Sequence, residues 1–114
     1  MHELSIALNL IDLANEEAQR HEGRVSALHV KLGRLSGVVQ AALLSSFEVA
    51  AYGTPIEGAR LVIEEVPTVI YCRECSAKRE LEFMASLFCP VCGSSGTELL
   101  QGKEMELTSL EMQL

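Results

Sequence analysis

From residue 3 to about residue 22 the apolar positions recur at helical spacing. Leu4, Leu8, Ile11 and Ala18 stand three to seven apart, with Ala7 and Ala14 beside them. Asp12, Glu16, Glu17 and Arg20 supply the polar side of the same helix. Gly23 is the expected stop, because glycine accepts the left-handed conformation at a helix end. Over 24–32 the period drops to two. Leu28, Val30 and Leu32 point one way, and Ala27, His29 and Lys31 the other, which predicts a strand with one buried face. Gly33 and the Ser36-Gly37 pair break it. Val39, Leu43, Phe47 and Ala50 mark a second helix over about 38–52, closed by Gly53 and Pro55. A second strand is expected over 59–66, with Leu61 and Ile63 inward and Pro67 as its end.

The stretch 67–102 has a different character. It holds every cysteine, Pro90 and polar turns such as Gly93-Ser94-Ser95-Gly96. A last strand is predicted over 103–112. Met105 and Leu107 share one face there and Leu110 and Met112 the other, so a bulge is expected between them. The pattern therefore predicts an α+β fold in which two helices pack on a small three-stranded sheet. Residues 1–66 plus 103–114 would make that unit, and 67–102 would be a cysteine-bearing insert.

Composition narrows the class. With 114 residues and 48% hydrophobic content, the chain is the size of one domain with a small insert. No apolar run approaches the roughly 18–20 residues of a membrane span. The start, Met1-His2-Glu3-Leu4, lacks the basic and then apolar blocks of a secretory leader, so a cytoplasmic protein is expected. Lys plus Arg is 9 and Asp plus Glu is 16, a net charge of −7. Nucleic-acid binders carry a basic face, and here nothing concentrates positive charge. No spacing of Ser, His and acidic residues suggests a nucleophile with its base, so no enzyme is expected.

The four cysteines change the picture most. Cys72-Arg73-Glu74-Cys75 and Cys89-Pro90-Val91-Cys92 are two C-x-x-C knuckles separated by 13 residues. In a reducing compartment such thiols serve as ligands more often than as disulfides. Two residues between cysteines let both sulfurs reach one ion, and four thiolates suit tetrahedral zinc. The candidate core of the insert is thin: Ile70, Leu81, Phe83, Leu87 and Phe88. A unit below about 40 residues generally needs a metal or disulfides to hold shape. A closed site of four cysteines leaves the ion no open position, which points to a structural role. A disulfide pair or an iron cluster is the alternative reading of the same four residues.

The other chemistry sits at the N-terminus. His2 follows the Met1 amine directly, so amine and imidazole can chelate one ion. The backbone nitrogens of His2 and Glu3 lie close enough to join when deprotonated. Nitrogen-rich, tetragonal coordination suits divalent nickel or copper. Taken alone this signal is weak, because a histidine at an exposed terminus is more often without function. His21, near the end of the first helix, lies about 28 Å of helix from His2 and cannot share its ion.

Together, Met1-His2-Glu3-Leu4-Ser5-Ile6-Ala7, Gly33-Arg34-Leu35-Ser36-Gly37-Val38, Glu64-Glu65-Val66-Pro67 and Cys89-Pro90-Val91-Cys92-Gly93 closely resemble the HypA/HybF family of hydrogenase maturation nickel chaperones. The resemblance runs over essentially the whole chain. It implies a nickel site at His2 with the Met1 amine and the Glu3 backbone, and a structural zinc on Cys72, Cys75, Cys89 and Cys92. It implies delivery of nickel to the large subunit of a nickel–iron hydrogenase, alongside the GTPase HypB, with urease served in some organisms. It implies a nickel domain with an inserted zinc ribbon. Arg34, Gln40 and Ser76 depart from the family pattern, where an acidic residue, a proline and a glycine are expected. Monomer and homodimer are both open. The alternative function is a zinc-stabilised protein-interaction adaptor that never carries nickel.

Overall fold

The computed structural model describes residues 2–82 and 87–114. In chain order the elements are α1 (Glu3–His21), β1 (Arg24–Gly33), α2 (Gln40–Ala51), β2 (Arg60–Val66), β3 (Thr68–Cys72), β4 (Ala77–Leu81), β5 (Thr97–Gln101) and β6 (Met105–Gln113). They form two three-stranded sheets, ordered β2-β1-β6 and β4-β3-β5. The α+β class with two helices, a small sheet and a cysteine-bearing module is the one the pattern predicts. No helix among the described residues is long and apolar enough to cross a membrane.

The chain divides into two compact units. The first comprises Met1–Lys31, Gly37–Glu64 and Glu106–Leu114, and the second Leu32–Ser36 and Glu65–Met105. In the first, α1 and α2 pack together. Ile6, Ala7, Leu10, Ile11 and Ala14 form the buried stripe of α1. That corrects the expected face, because Leu4 and Leu8 are half exposed. Apolar residues occupy most of the circumference of α1, so two stripes at helical spacing were available. The one lined with Ala7 and Ala14 permits close approach to neighbouring elements and is the one buried. The left-handed residue that ends α1 is Glu22 (φ 53), not Gly23. Gly23 answers to space instead: a Cβ there would meet Leu114 and Met112 side chains at 2.7 and 2.8 Å.

β1 is the central strand, and its first half is buried on both faces: Val25 and Ala27 as well as Leu28 and Val30. The expected one-sided strand holds only where His29 and Lys31 reach solvent. In α2 the buried positions are Leu43, Phe47 and Ala51, while Val39 caps the helix and is exposed. Ile56, in the turns after α2, is a fully buried residue that periodicity did not mark. The Thr54 hydroxyl positions it, accepting from the Ile56 N–H at 3.1 Å and donating to the Ala51 carbonyl at 2.7 Å. Along β6 the half-buried positions are Leu107, Leu110 and Met112, so burial changes parity where the apolar pattern does.

In the second unit β3 is the middle strand, antiparallel to both neighbours. Ile70 faces Arg79 on β4 and Leu99 on β5, and Cys72 faces Ala77 and Thr97. A register shift between Val69 and Ile70 puts a bulge in the β3–β5 ladder. Gly33 seals the segment 32–36 against this unit. A Cβ on Gly33 would lie 2.0 Å from the Gly102 carbonyl oxygen, an impossible contact. The approach lets Gly33 N–H reach the Glu104 carbonyl at 2.8 Å and Leu35 N–H the Gly102 carbonyl at 2.7 Å. Arg34 follows, its Nε donating to Glu65 Oε1 at 2.6 Å and its guanidinium to the Leu81 carbonyl at 3.3 Å. The family departure at Arg34 is thus an internal tie of the second unit.

The core of this unit is Ile70, Cys72, Leu81 and Cys89, with Cys75 and Leu99 packed on it. Two expected core residues are not there, since Leu87 and Phe88 are 38% and 55% exposed. Phe83 lies outside the described residues.

Candidate metal centres

The first knuckle is built at the end of β3. Cys72 closes the strand, and the chain turns through Arg73 and Glu74 so that Cys75 N–H points at Cys72 Sγ, 3.4 Å away. The second knuckle turns the same way. Cys89 N–H donates to the Ser94 carbonyl at 3.0 Å and Gly93 N–H returns to the Cys89 carbonyl at 2.9 Å. Each knuckle ends on a residue with positive φ, Ser76 (φ 51) in the first and Gly93 (φ 75) in the second. That reversal turns the chain out of each knuckle immediately after its second cysteine.

The two knuckles bring all four Sγ atoms within 4.8 Å of one another. Across the knuckles, Cys72 and Cys92 sulfurs are 3.6 Å apart and Cys75 and Cys89 sulfurs 3.9 Å apart. A tetrahedral ion with thiolates at about 2.3 Å requires sulfur–sulfur edges of about 3.8 Å. A disulfide requires about 2.05 Å, and all four cysteines are free thiols. The geometry fits one divalent ion in a tetrathiolate cage. Among the described residues no other His, Cys, Asp and Glu group of three or more converges in this way.

The thiols influence one another's ionisation. Cys89 is drawn down to about 6, foremost by the Cys92 backbone N–H. Burial opposes this, while the Val91 N–H and the Cys72 and Cys92 thiols support it. Cys92 goes the other way, up to about 12. The Ser94 N–H favours its thiolate, but the sulfur of Cys75, burial, and the sulfurs of Cys72 and Cys89 outweigh it. The Cys89 thiolate forms readily here, and that of Cys92 is resisted by the sulfurs around it. A dication removes that resistance by supplying the positive charge.

His2 stands in the first unit, at the N-cap of α1 with extended backbone (φ −82, ψ 116) and an exposed side chain. Its carbonyl accepts the first helical bond, from Ile6 N–H at 3.3 Å. Its side chain makes no capping hydrogen bond. Helix geometry gives the N–H groups of the first turn no intrahelical acceptor, so the Glu3 nitrogen is not consumed by the helix. Glu3 opens α1 and is half-buried. The Met1 amine lies outside the described residues. The other histidines have carboxylate partners: His21 is 3.4 Å from Glu17, and His29 Nε2 is 2.6 Å from Glu111 Oε2. His21 stands at the far end of the 19-residue α1 from His2, as the helical spacing predicts.

Sequence reasoning missed Arg79, which is half-buried on β4 opposite Ile70 and whose Nε is buried without a hydrogen-bond partner among the described residues. Its position two residues from Leu81 on an alternating strand was the available signal.

A family model described as "Hydrogenase/urease nickel incorporation, metallochaperone, hypA" matches residues 1–112. The hydrogenase maturation factor HypA of Roseiflexus sp. (strain RS-1) is 47% identical over 112 residues, covering 97% of this chain and 91% of the relative. The HypA of Deinococcus radiodurans is 49% identical over 108 residues, covering 94% and 89%. Among solved structures, the solution structure of the Ni metallochaperone HypA from Helicobacter pylori superposes with a TM-score of 0.65 at 28% identity, covering 98% of this chain and 97% of that one. A second solution structure of HypA protein gives 0.72 at 29% identity, covering 99% and 97%.

Proposed function

Since the chain belongs to the HypA family of hydrogenase maturation factors, we propose that it carries nickel at its N-terminus and hands the ion to the large subunit of a nickel–iron hydrogenase during assembly. The observation that supports this reading is the placement of His2: exposed, with no side-chain hydrogen bond to cap the helix, and next to a backbone nitrogen that α1 does not use. The imidazole of His2 provides one nitrogen donor. The Met1 amine and the backbone nitrogens of His2 and Glu3 are the adjoining donors. Such a nitrogen-rich set favours nickel over zinc by geometry and ligand type. The site also releases readily, because protonating one nitrogen weakens the whole chelate and no cage has to open. Binding therefore strengthens as pH rises and relaxes as it falls.

Cys72, Cys75, Cys89 and Cys92 hold a structural zinc in this reading. The sulfur–sulfur distances support a tetrahedral ion, and the thin apolar core of the second unit gives the ion a reason to be there. The nickel-handling GTPase HypB is the proposed partner in loading, and urease a second recipient. The protein works in the cytoplasm and does no chemistry on its cargo beyond binding and release.

Equilibrium nickel titration with metal analysis of the untagged chain tests the reading. Wild type is expected to bind one nickel beyond its zinc. His2→Ala, or one residue added before Met1, is expected to lose at least ten-fold in nickel affinity and keep one zinc per chain. Unchanged nickel binding in both variants would replace nickel carriage with the adaptor role.

A further inference from the structure

Between α2 and the turns that follow it, the first unit carries a groove of about 500 Å³. Its floor is apolar: Phe47 and Ala51 are buried there and Leu61 is half-buried. Its rim is not. Glu48, Tyr52 and Glu57 line it and are exposed, Tyr52 to 79%. Among the described residues no basic side chain lines the groove. Arg24 Nη2 comes within 3.9 Å of where a Cβ on Gly58 would stand, but Arg24 is not part of the lining. Among the described residues no ion pair involves Glu48 or Glu57.

Three features of different origin select a cation here. The first is the pair of carboxylates. The second is the C-terminal end of α2, where the helix dipole is negative and no basic residue in the last turn offsets it. The third is the Tyr52 ring, since aromatic faces attract ammonium and guanidinium groups within about 6 Å. An apolar floor under an acidic rim suits a long basic side chain, whose methylenes cover the floor while its head meets the carboxylates. The same features disfavour other occupants. A purely apolar segment would strip water from the carboxylates and return no hydrogen bond. A second copy would bring together like-charged grooves of a chain whose net charge is −7.

We propose that the groove at the C-terminal end of α2 is a docking site for a partner protein segment that presents an arginine or lysine beside apolar residues. The basic head pairs with Glu48 and Glu57 against the Tyr52 ring, and the apolar neighbours cover Phe47, Ala51 and Leu61. The groove lies wholly within the first unit and shares no residue with the four cysteines or with His2. Binding here therefore needs neither metal site.

The probe is the peptide acetyl-Leu-Arg-Leu-amide, titrated into the isotope-labelled, full-length, zinc-loaded protein while amide resonances are followed. Saturable shifts are expected at residues 44–61. The same peptide with norleucine in place of arginine is expected to bind about ten-fold more weakly, as loss of a charge-assisted pair predicts. Glu48→Gln should weaken the arginine peptide about ten-fold and Tyr52→Ser about three-fold. Both side chains are exposed, so zinc content and helical circular dichroism should not change. Glu57 is left intact, because its Oε1 accepts the Gly53 N–H at 2.9 Å and holds the turn after α2. Absence of saturable shifts at these residues would overturn the proposal. Equal binding of the two peptides would overturn it in favour of an apolar partner. Shifts at the same residues on concentrating the protein alone would overturn it in favour of a second copy. Wild-type affinity in both variants would overturn it as well, and should one variant fail to fold, wild-type affinity in the other suffices.

Discussion

Ser76 and Gly93 hold the same post in the two knuckles, and only one of them is glycine. A non-glycine residue at positive φ costs about 1–2 kcal/mol relative to ordinary backbone. Ser76 offsets little of that, its hydroxyl lying 3.5 Å from the Arg73 carbonyl. Ser76→Val is therefore expected to destabilise the metal-loaded protein by about 1–2 kcal/mol, a branched Cβ being poorly tolerated at positive φ. Ser76→Gly is expected to be neutral or to stabilise by up to about 1 kcal/mol, the gain in the folded state being partly cancelled by a freer unfolded chain. Denaturant unfolding of the zinc-loaded variants checks both, and equal losses in the two would refute strain at Ser76. At this scale the sequence was informative about identity and not about conformation. The four cysteines declared their partnership by spacing alone, because a C-x-x-C turn leaves few ways to place its sulfurs. The burial of Arg79 was not legible, because a charged residue on a strand is ordinarily solvated, and only the register opposite Ile70 shows it on the half-buried side of β4.

Among elements, the helices and the first two strands were legible because each carries its period over two turns or more. α1 shows the limit of that logic. Its apolar residues support two stripes, and only tertiary packing chose Ile6, Leu10 and Ile11 over Leu4 and Leu8. The strands β3, β4 and β5 were not legible, since five residues each give too short a pattern and the cysteines supply core that hydropathy counts poorly. The joining of β1 to β6 has a pH signature. His29 Nε2 lies 2.6 Å from Glu111 Oε2, and Arg60 lies 3.4 Å from the same oxygen. Glu111 is thereby held below its ordinary value of 4.5, first by the His29 hydrogen bond and then by the charges of His29 and Arg60, against partial desolvation. A lowered folded pKa means that the unfolded chain binds the proton more readily. The contribution is thus complete above the ordinary value and lost as pH falls through the lower folded one. Wild type should melt at a higher temperature than Glu111→Gln at pH 7, with the gap closing on acidification below pH 4.5. A gap that persists unchanged at about pH 3 would contradict the assignment.

At the scale of the molecule, each compact unit is assembled from separate stretches of chain, three for the first and two for the second. The sequence predicts an insert over 67–102; the grouping of Leu32–Ser36 with Glu65–Met105 has no signal in composition and goes with the Gly33–Gly102 approach. The units draw on different sources of stability. The first has a conventional apolar core, while the second has a four-residue cluster that includes two of the four clustered cysteines. Structural zinc provides about 10–16 kcal/mol of apparent binding energy in small modules, more than such a cluster can supply. Stripping the ion with a chelator under reducing conditions should erase hydrogen-exchange protection in β3, β4 and β5. The helical circular dichroism of α1 and α2 should survive, since both helices lie wholly in the first unit. Loss of both signals together would show that the units melt as one. The interleaving also sets an order in time. α1 and β1 leave the ribosome well before β6, the strand that completes the β2-β1-β6 sheet and ends at Gln113. The nascent chain must therefore hold β1 with one edge open until the ribosome has passed Gln113.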